Sequence, residues 1–177
     1  MRFVYGKQEM RTLARSQESG FLLTNGLGGY AALTAAYSAN RCDQGLLIAA
    51  VRAPNERLTL VHRMREQLTV EGKSYFLSTQ EFADGTPPED GYRNLSFFTY
   101  ENIPHWRYHI CGVRVTRTMA MTYGQNTTAI LYKVENQSDA PCTLTAEPFV
   151  KFAPKEQALE AAPQIAFAQG KVTCGNS

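Results

Sequence analysis

The chain has 177 residues, 44% of them hydrophobic and 11% aromatic, which is enough to bury a full core as one domain over residues 1–177 and too apolar for a disordered chain. Eighteen basic against 16 acidic side chains leave a formal charge of +2, and no run of like charges builds a basic face for nucleic acid. No stretch supplies the roughly 18–20 apolar residues of a membrane-spanning helix and no signal core opens the chain, so a cytoplasmic protein without membrane contact is expected.

Met1 to Tyr5 alternate enough for a short strand, and Met10, Leu13 and Ala14 fall at helical spacing within a brief helix over Lys7 to Ser16. From Phe21 onward short apolar or alternating runs are broken by Gly, Asn, Asp and Pro about every ten residues, the rhythm of an all-β domain. The run Leu58 to Val70 leads into a Glu71-Gly72-Lys73 turn and returns through Ser74 to Leu77 as a long ribbon. The segment Asp84 to Gly91 holds two prolines, two glycines and three acids, Asp84, Glu89 and Asp90, and it reads as an exposed loop. Period two is plain from Trp106 to Ile110 and from Val113 to Met121. There Val113, Val115, Met119 and Met121 share one face, and Arg117 is the exception upon it.

A turn at Tyr123 to Asn126 returns the chain through Thr128 to Val134, and Cys142 to Val150 supplies another strand. Pro154 then stands where a first helical turn tolerates proline, so Lys155 to Ala162 read as one short helix ending before Pro163. Residues 164–168 and 171–174 flank Gln169-Gly170 as a hairpin. The pattern stops soon afterwards, which suggests one piece of a longer chain. The expected fold is a large antiparallel β-sandwich, of supersandwich type, with one or two short helices.

The four cysteines, Cys42, Cys111, Cys142 and Cys174, form no C-x-x-C pair, and they read as reduced, buried thiols acting as small hydrophobes. His105 and His109 share a strand face but stand about 13 Å apart by strand rise, too far to clasp one ion. Neither a metal cluster nor a dinucleotide fingerprint is present, so no cofactor is expected. The acids, among them Glu18, Glu71, Asp84, Glu89, Asp90, Glu101, Asp139 and Glu156, lie mostly in turns or beside basic neighbours and read as solvated charges. A glycosidase needs two carboxylates flanking the scissile bond, and none here stands in an acid/base motif, so this chain alone is expected to be inactive.

The most informative stretch is Phe21-Leu22-Leu23-Thr24-Asn25-Gly26-Leu27-Gly28-Gly29-Tyr30, where three glycines and an asparagine interrupt an apolar run. It lacks the Gly-Lys-Ser/Thr ending of a phosphate loop. Two readings stand: a structural turn in a sheet, or a turn that also frames a carbohydrate-facing surface, with Tyr30 either filling the core or stacking on a sugar face. Pro104-His105-Trp106-Arg107-Tyr108 offers a lone tryptophan beside Arg and Tyr, as a sugar platform or as a core anchor. Arg41 and Asp43 form either a local ion pair or part of a polar groove.

The glycine stretch, with Asn40-Arg41-Cys42-Asp43-Gln44-Gly45-Leu46-Leu47, resembles the opening of the N-terminal domain of bacterial and archaeal-type glycogen debranching enzymes, the amylo-α-1,6-glucosidases. Pro104 to Tyr108, Asn126-Thr127-Thr128 with Tyr132 and Asn136, and Glu147-Pro148-Phe149-Val150 look like its later strands. Two places depart from the family pattern. Asp43-Gln44 replaces the usual Tyr-His, and Phe152-Ala153-Pro154-Lys155 stands where an Arg-Asp pair is common. The resemblance implies a non-catalytic sandwich that precedes an (α/α) six-hairpin barrel, which holds the paired carboxylates and hydrolyses α-1,6 branch points with inversion. The implied partners are an α-glucan and the barrel of the same polypeptide. Candidate carbohydrate-binding or domain-interface residues are then Asn25, Gly28, Gly29, Tyr30, Arg41, Asp43, Gln44, Trp106 and Tyr108. The rival reading is a free-standing carbohydrate-binding or interaction module.

Overall fold

The computed structural model describes residues 2–52, 56–155, 157 and 164–175. In chain order the elements are β1 (Phe3–Tyr5), α1 (Leu13–Ser16), β2 (Gly20–Thr24), β3 (Tyr30–Thr34), β4 (Gly45–Arg52), β5 (Glu56–Val70), β6 (Lys73–Phe76), β7 (Thr79–Gln80) and β8 (Glu89–Asp90). They continue with α2 (Gly91–Asn94), β9 (Leu95–Tyr100), β10 (Pro104–Ile110), β11 (Val113–Met121), β12 (Thr128–Asn136), β13 (Cys142–Pro154), β14 (Gln164–Ala168) and β15 (Lys171–Gly175).

Two antiparallel sheets stack as an all-β sandwich. One runs β1-β9-β10-β11-β12, and the other runs β13-β5-β4-β3-β2 with β6 also paired to β5. The 15-residue β5 is the spine of the second sheet: β13 follows one edge through most of its length, while β4 pairs with its first half and β6 with its last residues. Tight hairpin turns have left-handed backbone at both central residues, Glu71-Gly72, Cys111-Gly112 and Gln169-Gly170. That twist matches the strands they join.

Alternation decides what enters the core. On β10, Pro104, Trp106, Tyr108 and Ile110 are buried while Arg107 and His109 face solvent. Trp106 centres an aromatic cluster, its ring 5.2 Å from those of Phe21, Tyr37 and Phe98. Its indole N–H donates to the Ala35 carbonyl at 2.8 Å, so the ring is buried without an orphaned donor. Arg117, the expected exception on the apolar face of β11, is fully buried. Its guanidinium donates to the Glu66 carboxylate of the opposite sheet and, at 2.7 Å, to the Tyr108 hydroxyl. The Tyr132 hydroxyl donates to the same carboxylate, and the guanidinium lies 3.4 Å from the Tyr37 ring centroid. A charge buried this way is tolerated because the partner charge, hydrogen bonds and ring faces together offset its desolvation.

Several expectations need correction. Only Leu13–Ser16 of the segment Lys7 to Ser16 is helical, capped by the Thr12 hydroxyl accepting from the Arg15 N–H. Upstream the Glu9 carboxylate accepts from the Gly6 N–H at 2.7 Å and holds a turn instead. Glu89 is not a solvated loop charge. It is buried, receives both Arg63 Nη1 bonds at 2.9 and 3.0 Å, and accepts from the Ser78 hydroxyl at 2.6 Å. Cys42 and Cys111 are exposed and Cys142 is half-buried, because Cys42 lies in a loop and Cys111 in a hairpin turn. Pro154 closes β13 opposite Leu58 rather than opening a helix. Most of that expected helix, residues 156 and 158–162, lies outside the described residues.

Candidate functional site

β2 and β3 pair from Gly20↔Thr34 to Thr24↔Tyr30, so residues 25–29 must close the hairpin. Asn25 organises that turn from a fully buried position. Its side-chain oxygen accepts from the N–H groups of Leu27 and Gly29, both at 2.9 Å. Its amide nitrogen donates to the Gln125 carbonyl and to Asn126 Oδ1, at 3.0 and 2.9 Å, and its carbonyl accepts from the Gly124 N–H at 2.7 Å. Asn126 in turn donates to the Ala50 carbonyl at 2.9 Å and accepts from the Ala50 N–H. One asparagine pair thus staples the glycine turn, β4 and the β11–β12 loop together. Glycine is required at 29 by contact: a Cβ there would stand 2.6 Å from both Asn126 Oδ1 and Asn25 Nδ2.

Beside this turn lies a groove of about 890 Å³. Its floor is the outward face of β2, where Leu22 is 53% exposed between Gly20 and Thr24. Tyr100 from β9 forms one wall, its hydroxyl donating to the Leu22 carbonyl at 2.7 Å. Tyr30 forms another, its hydroxyl donating to the Asp43 carbonyl at 2.8 Å. Both phenols are anchored at their tips, which fixes the rings without closing the groove. Arg57 donates to the Gly28 carbonyl at 2.7 Å and braces the turn from β5. Arg41 and Arg57 are balanced by Glu18 and Asp43 along the lining. Flat rings, mixed donors and acceptors and little net charge suit a neutral, hydroxyl-rich ligand better than an anion.

The fold gathers Gly28, Gly29, Tyr30, Arg41, Asp43 and Gln44 along this groove. Asn25 lies beneath it as the turn's organiser. Trp106 and Tyr108 are corrected: at 0% and 1% exposure they present no ring to any ligand, because the inward phase of β10 sends both into the core. Asp43 and Arg41 do not pair with each other among the described residues. Leu22, Arg57 and Tyr100 are further groove residues outside the sequence candidates, although Leu22 lies within the glycine stretch itself. Only Leu22 leaves a trace in the sequence, as the apolar residue in the outward phase of β2.

No group of three or more His, Cys, Asp or Glu side chains that could hold a metal ion occurs among the described residues. No helix among them is long and apolar enough to cross a membrane.

Residues 20–176 match the family described as glycogen debranching enzyme N terminal. The chain belongs to that family. No curated protein and no solved structure matches it. The debranching-enzyme match opens at Gly20, the first residue of β2, and takes in the glycine turn and every groove residue except Gln17, Glu18 and Ser19. At Asp43 the debranching-enzyme N-terminal domain here holds the Tyr30 hydroxyl with its backbone carbonyl.

Proposed function

We propose that this chain is the non-catalytic domain of a debranching enzyme, receiving α-glucan in the groove beside the glycine turn and packing on a helical catalytic barrel of the same polypeptide. The observation that supports this reading most is the convergence of six motif residues, from segments 28–30 and 41–44, on one groove walled by two anchored tyrosines. In this role the domain orients a glucan strand and leaves bond cleavage to carboxylates on the barrel. Binding energy realised away from the reacting centre then contributes to positioning. A cytoplasmic setting, where glycogen-like polymers are turned over, belongs to the same proposal.

The test is titration of the chain with linear maltooligosaccharides and with the separately produced barrel, comparing the native groove with Tyr30→Ala and Tyr100→Ala. Saturable binding weakened by both substitutions is the expected result. Affinity for neither sugar nor barrel would overturn the reading, and glucose release from a branched dextrin by this chain alone would overturn its non-catalytic part.

A further inference from the structure

The groove does not end at Arg41. A second concavity of about 510 Å³ lies on the other side of that residue, and the two share Arg41 and Gln17 in their walls. The 40–44 segment is the partition: Asp43 and Gln44 face the first basin, and Asn40 and Cys42 face the second. Phe82 supplies a ring to the second basin, braced by the Arg63 guanidinium 5.4 Å from its centroid. Arg63 is itself fixed by its ion pair with buried Glu89. His62 adds an imidazole whose pKa is held below its ordinary value by burial and then by the cations Lys151 and Arg63. At neutral pH it is therefore uncharged and adds no cation to the basin.

Each basin alone has the size that encloses one small molecule, roughly 300–1,000 Å³. Two such basins in series, both pairing an aromatic ring with amide or imidazole groups, fit a ligand with a repeating unit. Resting on the glucan reading above, we propose that the occupant is a run of several linked glucose residues laid across Arg41 from Tyr30 to Phe82, rather than a single chain end lodged beside the glycine turn. Arg41 is then the saddle over which the strand passes, and Phe82 is a specificity residue for chain length.

The experiment is calorimetric titration of the 177-residue chain with maltotriose and with maltoheptaose, repeated for Phe82→Ala and for Asn40→Ala, the latter an exposed position outside the core. The longer sugar is expected to bind about three- to tenfold more tightly, the gain of one added ring contact. Both variants are expected to lose that gain while keeping the trisaccharide affinity. Equal affinity for the two sugars, or a gain that survives both substitutions, overturns the two-basin proposal and leaves the glucan reading standing. Absence of binding at either length overturns both.

Discussion

Glu66 on β5 and Arg117 on β11 are joined across the interior of the sandwich with both side chains fully withdrawn from water. The pair ties one sheet to the other where the in-phase neighbours of Arg117 along β11, Val115 and Met119, are apolar. A second ion pair adjoins it, since the Glu66 N–H donates to the Ser78 hydroxyl, which donates to Glu89, the partner of Arg63.

Removing one partner of the Glu66–Arg117 pair strands a buried charge. Glu66→Leu and Arg117→Met are each expected to destabilise the fold by about 3–5 kcal/mol, and the two together by less than the single changes summed. Urea denaturation of the four-member cycle measures this, and additive losses would contradict a coupled pair.

The turn beneath the groove depends on one amide. Asn25→Ala leaves the Leu27 and Gly29 N–H groups and the Gln125 carbonyl without that side chain, at a cost of about 1–3 kcal/mol for a buried group so orphaned. Gly29→Ala drives a methyl group into the Asn25–Asn126 pair and is expected to loosen both the turn and the β11–β12 loop. Amide hydrogen exchange at residues 25–29 and 122–127 checks both, the expected outcome being faster exchange in the two segments together.

Trp106 is the chain's one tryptophan, and its fluorescence reports the core. Emission is expected to be blue-shifted, poorly quenched by acrylamide and unmoved by saturating maltooligosaccharide. Trp106→Ala is expected to cost about 3–5 kcal/mol. A sugar-dependent emission change would place the ring at a ligand surface instead.

Tyr37, Tyr108 and Tyr132 surround the Glu66–Arg117 pair. Burial, followed by the Glu66 charge for Tyr37 and Tyr132, raises their phenol pKa values. The folded state therefore keeps protons that the unfolded chain releases above about pH 10. Stability from these groups is fully present below that pH and falls as the pH rises beyond it. Phenolate absorbance during alkaline titration is expected to show these three ionising only with unfolding, and Tyr132→Phe is expected to flatten the slope.

Much of this was legible in the sequence. Strict alternation on β10 and β11 announced both the sandwich and the odd position of Arg117, and the same alternation placed Trp106 in phase with Tyr108 and Ile110, a pattern that favours core over platform. What could not be read was pairing across the sheets. Glu66 sits in the polar string Arg65-Glu66-Gln67, and only the fold shows that its partner lies 51 residues away. Tyr100 reaches the groove because β9 closes over β2, a contact between residues 78 apart that no local motif encodes. Cys42 and Cys111 mislead for the opposite reason, since a residue type usually buried was placed by a loop and by turn geometry.

The most direct test of the proposed glucan groove is the backbone amide spectrum of the chain titrated with maltoheptaose. Saturable shifts are expected at Leu22, at Gly28 to Tyr30 and at Asp43 and Gln44, with Trp106 to Ile110 unmoved. An unchanged spectrum at high sugar concentration, or shifts confined to the opposite sheet, would contradict it.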